Sequence, residues 1–119
     1  MKNFRDLKVW EKSHELVLKA YADSRGFPND ERFGLTSQLR KSVTSVASNI
    51  AEGCGRDSDK DFARFLTIAA GSASEARYQI LLARDLGYLS SDRYEALDSV
   101  AREVKRMLAG LIKTLLQEN

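Results

Sequence analysis

Apolar residues recur at helical spacing along most of the chain. In the second quarter, four of them follow one another at steps of four, three and four: Leu39, Val43, Val46 and Ile50. This spacing places them on one face of a helix. A second line of short polar side chains runs beside that face: Ser45, Asn49 and Glu52. A helix with one apolar and one short polar stripe is expected to be covered on more than one side, which is a first indication of assembly.

The same periodicity predicts four helices, at about residues 7–23, 30–54, 59–86 and 91–116. The clearest break is the segment Arg25–Asp30, which holds a glycine and the only proline of the chain. The chain has few β-branched residues, only seven glycines and only one proline, and this composition favours helix over strand. Amphipathic helices joined by short connections predict an all-α, single-domain, up-down-up-down four-helix bundle.

Capping residues and glycines set the predicted helix ends. The N-cap candidates are Asp6, then Asn29 or Asp30, then Asp57, Ser58 or Asp59, and finally Ser90 or Ser91. Gly53 and Gly55 mark the end of the second helix and Gly87 that of the third, because glycine adopts the left-handed C-terminal conformation easily. Gly71 lies inside the third helix, where glycine costs about 1 kcal/mol relative to alanine. Close approach of a neighbouring backbone across Gly71–Ser74 is expected to offset that cost.

Composition narrows the class of protein. Nineteen basic and seventeen acidic residues among 119 leave a net charge of +2. Basic and acidic residues are also balanced within each segment of the chain, so no segment is strongly basic. The single cysteine, Cys54, excludes an intramolecular disulfide and fits a reducing compartment. No apolar run approaches the roughly 20 residues that span a bilayer, and the charged residues 1–10 do not resemble a signal peptide. A soluble cytoplasmic protein with no membrane partner is therefore expected.

Four motifs carry a resemblance to a known family: Phe4-x-x-Leu7-x-Val9-Trp10, Leu39-Arg40-x-x-x-x-Ser45, Ser48-Asn49-Ile50-Ala51-Glu52-Gly53 and Ala70-Gly71-Ser72-x-x-Glu75. With them, nearly the whole chain resembles the bacterial four-helix-bundle proteins of the 23S rRNA intervening-sequence family. The resemblance implies a left-handed bundle that assembles as a ring-like homopentamer. The family is also similar in fold to the accessory variability determinant protein of diversity-generating retroelements, which binds nucleic acid and a reverse transcriptase.

Polar residues of the second and third helices are expected to form a structural network. Antiparallel packing about a turn near Arg56 places Arg40 level with Ser72, and Glu75 one turn away. An Arg40–Glu75 ion pair is predicted, with Arg102 as a rival partner for Glu75. The alternative is a polar pocket in which Arg40 binds a phosphate. The predicted network has six members: Arg40, Ser45, Asn49, Glu52, Ser72 and Glu75.

Two basic clusters are candidates for nucleic-acid binding. The N-terminal one is built on Lys8 and Lys12, with Lys2 and Arg5 before them. The one in the last helix consists of Arg102, Lys105, Arg106 and Lys113. Glutamates interleave with both clusters, which is typical of a solvated face. A closed ring would nevertheless repeat each patch in every subunit and so make a weak excess multivalent.

No residue set indicates a reaction. Ser45 has no histidine nearby in sequence to activate it, and the single histidine, His14, is too isolated for a metal site. No catalytic residue, metal ligand or cofactor is assigned. The predicted function is a non-enzymatic, homo-oligomeric scaffold that binds RNA or DNA. The alternative is a structural adaptor that binds another protein through an exposed helix groove, with Trp10 and Tyr21 as either core or contact residues.

Overall fold

The apolar stripes fold into four long helices. The computed structural model describes residues 3–117, in which the helices are α1 (Lys8–Ser24), α2 (Leu35–Cys54), α3 (Asp59–Asp85) and α4 (Ser91–Leu116). Short 3₁₀ turns, Phe4–Asp6 and Asn29–Glu31, precede α1 and α2. Each helix packs against the next, and α1 also packs against α4, in a body of 49 × 22 × 20 Å. The predicted all-α four-helix bundle is confirmed, whereas its left-handed sense stays a prediction.

The core consists of the predicted stripes. Four α2 residues are fully buried: Leu39, Val43, Val46 and Ile50. Four α4 residues are also fully buried: Leu97, Ala101, Val104 and Leu108. Burial of one such leucine, isoleucine or valine stabilises the fold by about 1.5–3 kcal/mol, so packing rather than helix propensity holds the bundle together. Within residues 3–117, none of the helices combines the length and apolar content needed to cross a membrane.

The start of α1 differs from the prediction. Asp6 does not cap the helix, because it lies in the preceding 3₁₀ turn, where Asn3 accepts the N–H of Arg5 at 3.0 Å. Leu7 takes the N-cap position with no side-chain hydrogen bond. Leu7 packs against the core. Burial of an apolar side chain therefore fixes this helix start, where a polar cap was expected.

The second helix begins at Leu35, later than the predicted residue 30. Neither Asn29 nor Asp30 caps it, because residues 29–31 form a 3₁₀ turn. Glu31 closes the first turn of α2 from outside: its Oε1 accepts the N–H of Leu35 at 3.1 Å. Its Oε2 accepts the hydroxyl of Tyr88 at 2.9 Å. One carboxylate therefore sets this helix start and ties it to the connection after α3.

The close approach of α2 to α3 occurs at Gly53 and not at Gly71. A Cβ at Gly53 would lie 2.7 Å from Cβ of Phe65 and 2.9 Å from Cδ1 of Phe62. A Cβ at Gly71 would meet no neighbouring atom of residues 3–117 within 4 Å. The predicted left-handed stop is also wrong at Gly55, whose φ is −85°. Gly53 therefore serves the close packing of α2 on α3, and neither Gly53 nor Gly55 changes the backbone hand.

The remaining caps follow the prediction. The hydroxyl of Ser58 accepts an N–H from the first turn of α3 at 3.0 Å, and that of Ser90 accepts one from α4 at 3.2 Å. Gly87 has a φ of +83°. The N–H of Tyr88 reaches back to the carbonyl of Ala83 at 2.8 Å. This is the glycine-terminated helix end expected after α3.

Candidate nucleic-acid interface

Glu103 on α4 lies near one cation of each predicted basic cluster, Arg106 and Lys12. Arg106 donates to Glu103 at 2.6 Å. This hydrogen bond, followed by the charges of Arg106 and Lys12, lowers the pKa of Glu103, although partial burial opposes the shift. The same bond raises the pKa of Arg106. The structure therefore places a carboxylate beside a cation of each cluster.

Three of the six predicted cations in these clusters have carboxylate partners. Besides Arg106, Lys12 lies 3.4 Å from Glu15 and Arg102 lies 2.6 Å from Glu95. Within residues 3–117, three have no ion pair: Lys8, Lys105 and Lys113. Lys2 lies outside the described residues. This face carries mixed charge, which gives it a weaker attraction for a polyanion than the cation count implies.

Asp98 forms a buried charge centre that sequence reasoning missed. Its side chain is 6% exposed and accepts from Nε and Nη2 of Arg77 at 2.8 and 3.1 Å. Nε of Arg102 lies 3.2 Å from the same carboxylate, so the predicted Arg102–Glu75 pairing is wrong. The hydrogen bond to Asp98 raises the pKa of Arg77. The sequence did carry a signal for this charge centre: Asp98 follows the apolar Leu97 and lies four residues before Arg102.

The predicted polar network forms only in part, as a seam between α2 and α3. The hydroxyls of Ser45 and Ser72 lie 2.9 Å apart, and Nδ2 of Asn49 donates to the carbonyl and hydroxyl of Ser45 at 2.8 and 3.1 Å. Next to them, Ser42 donates to Glu75 at 3.1 Å. Two predicted members lie outside this seam: Arg40, and Glu52, which faces Arg56 at 3.5 Å. The seam satisfies polar groups between packed helices.

Arg40 does not pair with Glu75, contrary to the prediction. Its Nε donates to the hydroxyl of Ser24 at 2.9 Å and its Nη2 donates to the carbonyl of Tyr21 at 3.3 Å, both on α1. Positions five apart on a helix lie roughly 140° apart around its axis. Arg40 therefore faces α1, whereas Ser45 faces α3.

A groove of about 610 Å³ lies on the outer side of α1 and α2. Three cations line it, Arg32, Arg40 and Lys41, together with serine and threonine hydroxyls. Two aromatic side chains also line it, Tyr21 and Phe33, and Phe33 is 85% exposed. The Arg40 guanidinium lies 4.6 Å from the Tyr21 ring centroid, and that of Arg32 lies 4.7 Å from the Phe33 centroid. Such cation–aromatic contacts keep both arginines on the groove.

No carboxylate of residues 3–117 lines this groove. Glu31, the nearest acid before it in sequence, is occupied by Leu35 and Tyr88. Glu75 lies in the adjacent cleft, which it shares with Lys41. A signal was present in the sequence, since no Asp or Glu occurs from residue 32 to residue 51. The groove is therefore the stronger candidate for binding an anionic ligand.

The residue types that bind metals are not grouped into a site among the described residues. Within residues 3–117, no group of three or more His, Cys, Asp or Glu is arranged to hold a metal ion. His14 stacks on Trp10, with ring centroids 5.1 Å apart. Cys54 is buried. Trp10 is thus part of the packing at the start of α1, whereas Tyr21 lies at the groove.

Comparison with known proteins places the chain in a family. The sequence model of the family described as 23S rRNA-intervening sequence protein matches residues 5–110. Among solved structures, the chain is similar to a crystal structure of a protein with unknown function from the S23 ribosomal protein family of Bacteroides thetaiotaomicron VPI-5482. That similarity has a TM-score of 0.80 and 28% identity, and it covers 88% of this chain and 98% of that chain. No curated protein matches. Because this match includes α1, α2, α3 and most of α4, the chain belongs to the 23S rRNA-intervening sequence protein family.

Proposed function

We propose that this protein is a non-enzymatic, homo-oligomeric scaffold that binds RNA or DNA. The observation that carries the proposal is the groove on α1 and α2, where Arg32, Arg40 and Lys41 converge with no carboxylate among the described lining residues. Cations that contact phosphates release condensed counterions, and a groove lined by one sign of charge concentrates the field. The family description refers to 23S rRNA and names no reaction.

The absence of an activated nucleophile in the polar seam supports a non-enzymatic role. Ser45 is bonded to Ser72 and Asn49. Neither partner is a base that could take the serine proton, and such a base is what nucleophilic catalysis requires. His14 is held against Trp10 on α1. The seam therefore fits a structural role.

An exposed face of α3 supports assembly with further copies of this chain. Ile68, Gly71 and Tyr78 share this face by their spacing, and the two apolar side chains are 45% and 61% exposed. In the described part of the chain, no neighbouring atom lies within 4 Å of a Cβ placed at Gly71. An exposed mid-helix glycine costs about 1 kcal/mol relative to alanine, and close packing of another subunit would offset that cost. The homopentamer implied by the family resemblance is the proposed state.

The nucleic-acid proposal is tested by fluorescence anisotropy with a labelled structured RNA and a labelled duplex DNA. Binding is expected at about 50 mM salt and should weaken steeply at about 200 mM salt. Lys41→Glu, in the groove, should weaken binding more than the matched charge reversal Lys105→Glu on the α1 and α4 face. No binding at the lower salt concentration would refute the proposal. A larger effect of Lys105→Glu would move the interface to the mixed-charge face.

The assembly proposal is tested by light scattering after size exclusion. The wild type is expected at about five times the chain mass of 13.4 kDa. Gly71→Gln should shift the protein to smaller species, whereas Gly110→Gln should not. Both glycines lie at exposed helix positions with open space around them among residues 3–117. A monomeric wild type would contradict the proposal, and equal effects of the two variants would remove α3 from the interface.

A protein-binding adaptor is the second candidate, favoured by one surface feature. An open groove of about 510 Å³ lies between the start of α3 and the end of α4, and Leu116 in it is 53% exposed. An apolar contact there should be insensitive to added salt, unlike phosphate binding. Salt-resistant capture of one defined protein that Leu116→Lys abolishes would support this candidate. Leu86→Lys, at a leucine of similar exposure elsewhere, is the control.

A further inference from the structure

Phe33 is held outside the core by the turn that starts α2. Its side chain is 85% exposed. On one side, the N–H of Gly34 donates to the carbonyl of Glu31 at 2.9 Å. On the other, the carboxylate of Glu31 accepts from Leu35 at 3.1 Å and from Tyr88 at 2.9 Å. Because these bonds fix the turn, the Phe33 ring is presented at the mouth of the groove.

The charges beside Phe33 are suited to a polyanion. Arg40 is positioned in advance by its bonds to Ser24 and to the Tyr21 carbonyl, so little side-chain freedom is lost when a ligand binds. Lys41 is exposed and has no ion pair within residues 3–117. Arg40 lies over the Tyr21 ring and Arg32 over the Phe33 ring, at 4.6 and 4.7 Å from the ring centroids. Phe33 nevertheless remains 85% exposed whereas Tyr21 is 38% exposed, so Phe33 is the more accessible aromatic surface of the groove.

An exposed ring, neighbouring cations and hydroxyls are the elements of a site for single-stranded nucleic acid. Bases stack on aromatic rings whatever their sequence, while cations along the groove contact the phosphates. In a duplex the faces of the bases are already stacked on one another, so Phe33 could reach only unpaired bases in loops, bulges or single strands. We infer that the groove binds a single-stranded segment of RNA or DNA, with one base stacked on Phe33. This inference rests on the proposed nucleic-acid function and names its ligand.

The test compares a labelled single-stranded oligouridylate with a labelled duplex RNA of equal length, at about 50 mM salt. Phe33→Leu removes the aromatic face but keeps an apolar side chain, and Phe33→Tyr keeps the face. Far-UV circular dichroism confirms that both variants fold, which is expected because the side chain is exposed. Phe33→Leu should weaken single-strand binding about tenfold and leave duplex binding unchanged. Phe33→Tyr should bind the single strand like the wild type.

The outcomes separate this inference from the proposed function. If Lys41→Glu weakens binding and Phe33→Leu does not, the nucleic-acid function stands and base stacking is overturned. Equal losses in Phe33→Leu and Phe33→Tyr would overturn stacking too, because the tyrosine retains the ring. Equal binding of duplex and single strand would overturn the proposed selectivity. No binding of either probe by the wild type would overturn both proposals.

Discussion

The buried carboxylate Asp98 offers the sharpest test of how α3 and α4 are held together. Asp98 and Glu95 both contact Arg102, at 3.2 and 2.6 Å, but their side chains are 6% and 66% exposed. Only Asp98 also binds Arg77, through two hydrogen bonds across the helix pair. Asp98→Ala and Glu95→Ala therefore remove the same type of partner from one arginine in two different environments.

The expected cost follows from those exposures. Removing one partner of a buried ion pair costs about 3–5 kcal/mol. Arg77 and Arg102 are 37% and 49% exposed, so each regains water when Asp98 is lost. We therefore expect Asp98→Ala to lower the free energy of unfolding by about 2–3 kcal/mol, below the fully buried case. An exposed pair contributes about 0–1 kcal/mol, which is the expectation for Glu95→Ala.

Urea unfolding followed by circular dichroism measures the difference. With a slope of about 1–3 kcal/mol per molar urea, Asp98→Ala should lower the midpoint by about 0.7–3 M, and Glu95→Ala by much less. All variants must be compared at one protein concentration, because the proposed assembly would make the apparent stability depend on concentration. Asp98→Asn keeps the shape and removes the charge, so it separates the ionic contribution from packing.

Equal midpoint shifts in Asp98→Ala and Glu95→Ala would refute the reasoning, since burial would then not determine the cost. A second check is the double variant Asp98→Ala with Arg77→Ala. If the two residues act through their shared hydrogen bonds, the double variant should be less destabilised than the sum of the single variants, with a coupling of about 0.5–3 kcal/mol. Additive effects would show that the bonds contribute little.

Two further predictions concern contacts that set the helix ends. Gly53→Ala places a methyl group 2.7 Å from Cβ of Phe65 and should lower the free energy of unfolding by about 1–3 kcal/mol. Gly110→Ala, at an open helical site, should raise the free energy of unfolding by up to about 1 kcal/mol. Equal thermal unfolding midpoints for the two variants would contradict this prediction. The hydrogen bond to Glu31 raises the pKa of Tyr88 above its ordinary value of 10.0. The stabilisation from this hydrogen bond is therefore present below pH 10 and is lost as the pH rises through the raised pKa of Tyr88. The alkaline absorbance difference between the wild type and Tyr88→Phe should have a midpoint above 10.0, and a midpoint at or below it would exclude the bond.

Local sequence rules predicted the features that depend on neighbouring residues. The stripe from Leu39 to Ile50 is fully buried as predicted, because helical spacing alone decides which side chains share a face. Ser58 and Ser90 cap α3 and α4 because a cap needs only the first turn of its own helix. The start of α2 at Leu35 was predicted wrongly. The carboxylate of Glu31 accepts the N–H of Leu35 there, and it is also held by the hydroxyl of Tyr88, which is distant in sequence.

The candidate binding groove could not be predicted from the helical periodicity of the sequence, because it depends on how the helices are rotated against one another. The acid-free stretch from residue 32 to residue 51 was visible in the sequence, but its meaning depends on which way each cation points. Arg40 turned toward α1, away from Glu75, because the rotation of α2 about its axis decides which neighbour a side chain meets. In the same way, Asp98 became a buried charge centre only through the register of α3 against α4.

The sequence by itself thus determined the helices, the apolar core and the family. The pairing of charges, the seam of Ser45 and Ser72, and the groove beside Phe33 were decided by tertiary structure. The physical reason is that burial follows from the apolar pattern of one helix, whereas a hydrogen bond or ion pair needs two groups within about 3–4 Å. That distance is fixed only when helices settle against one another in rotation and register.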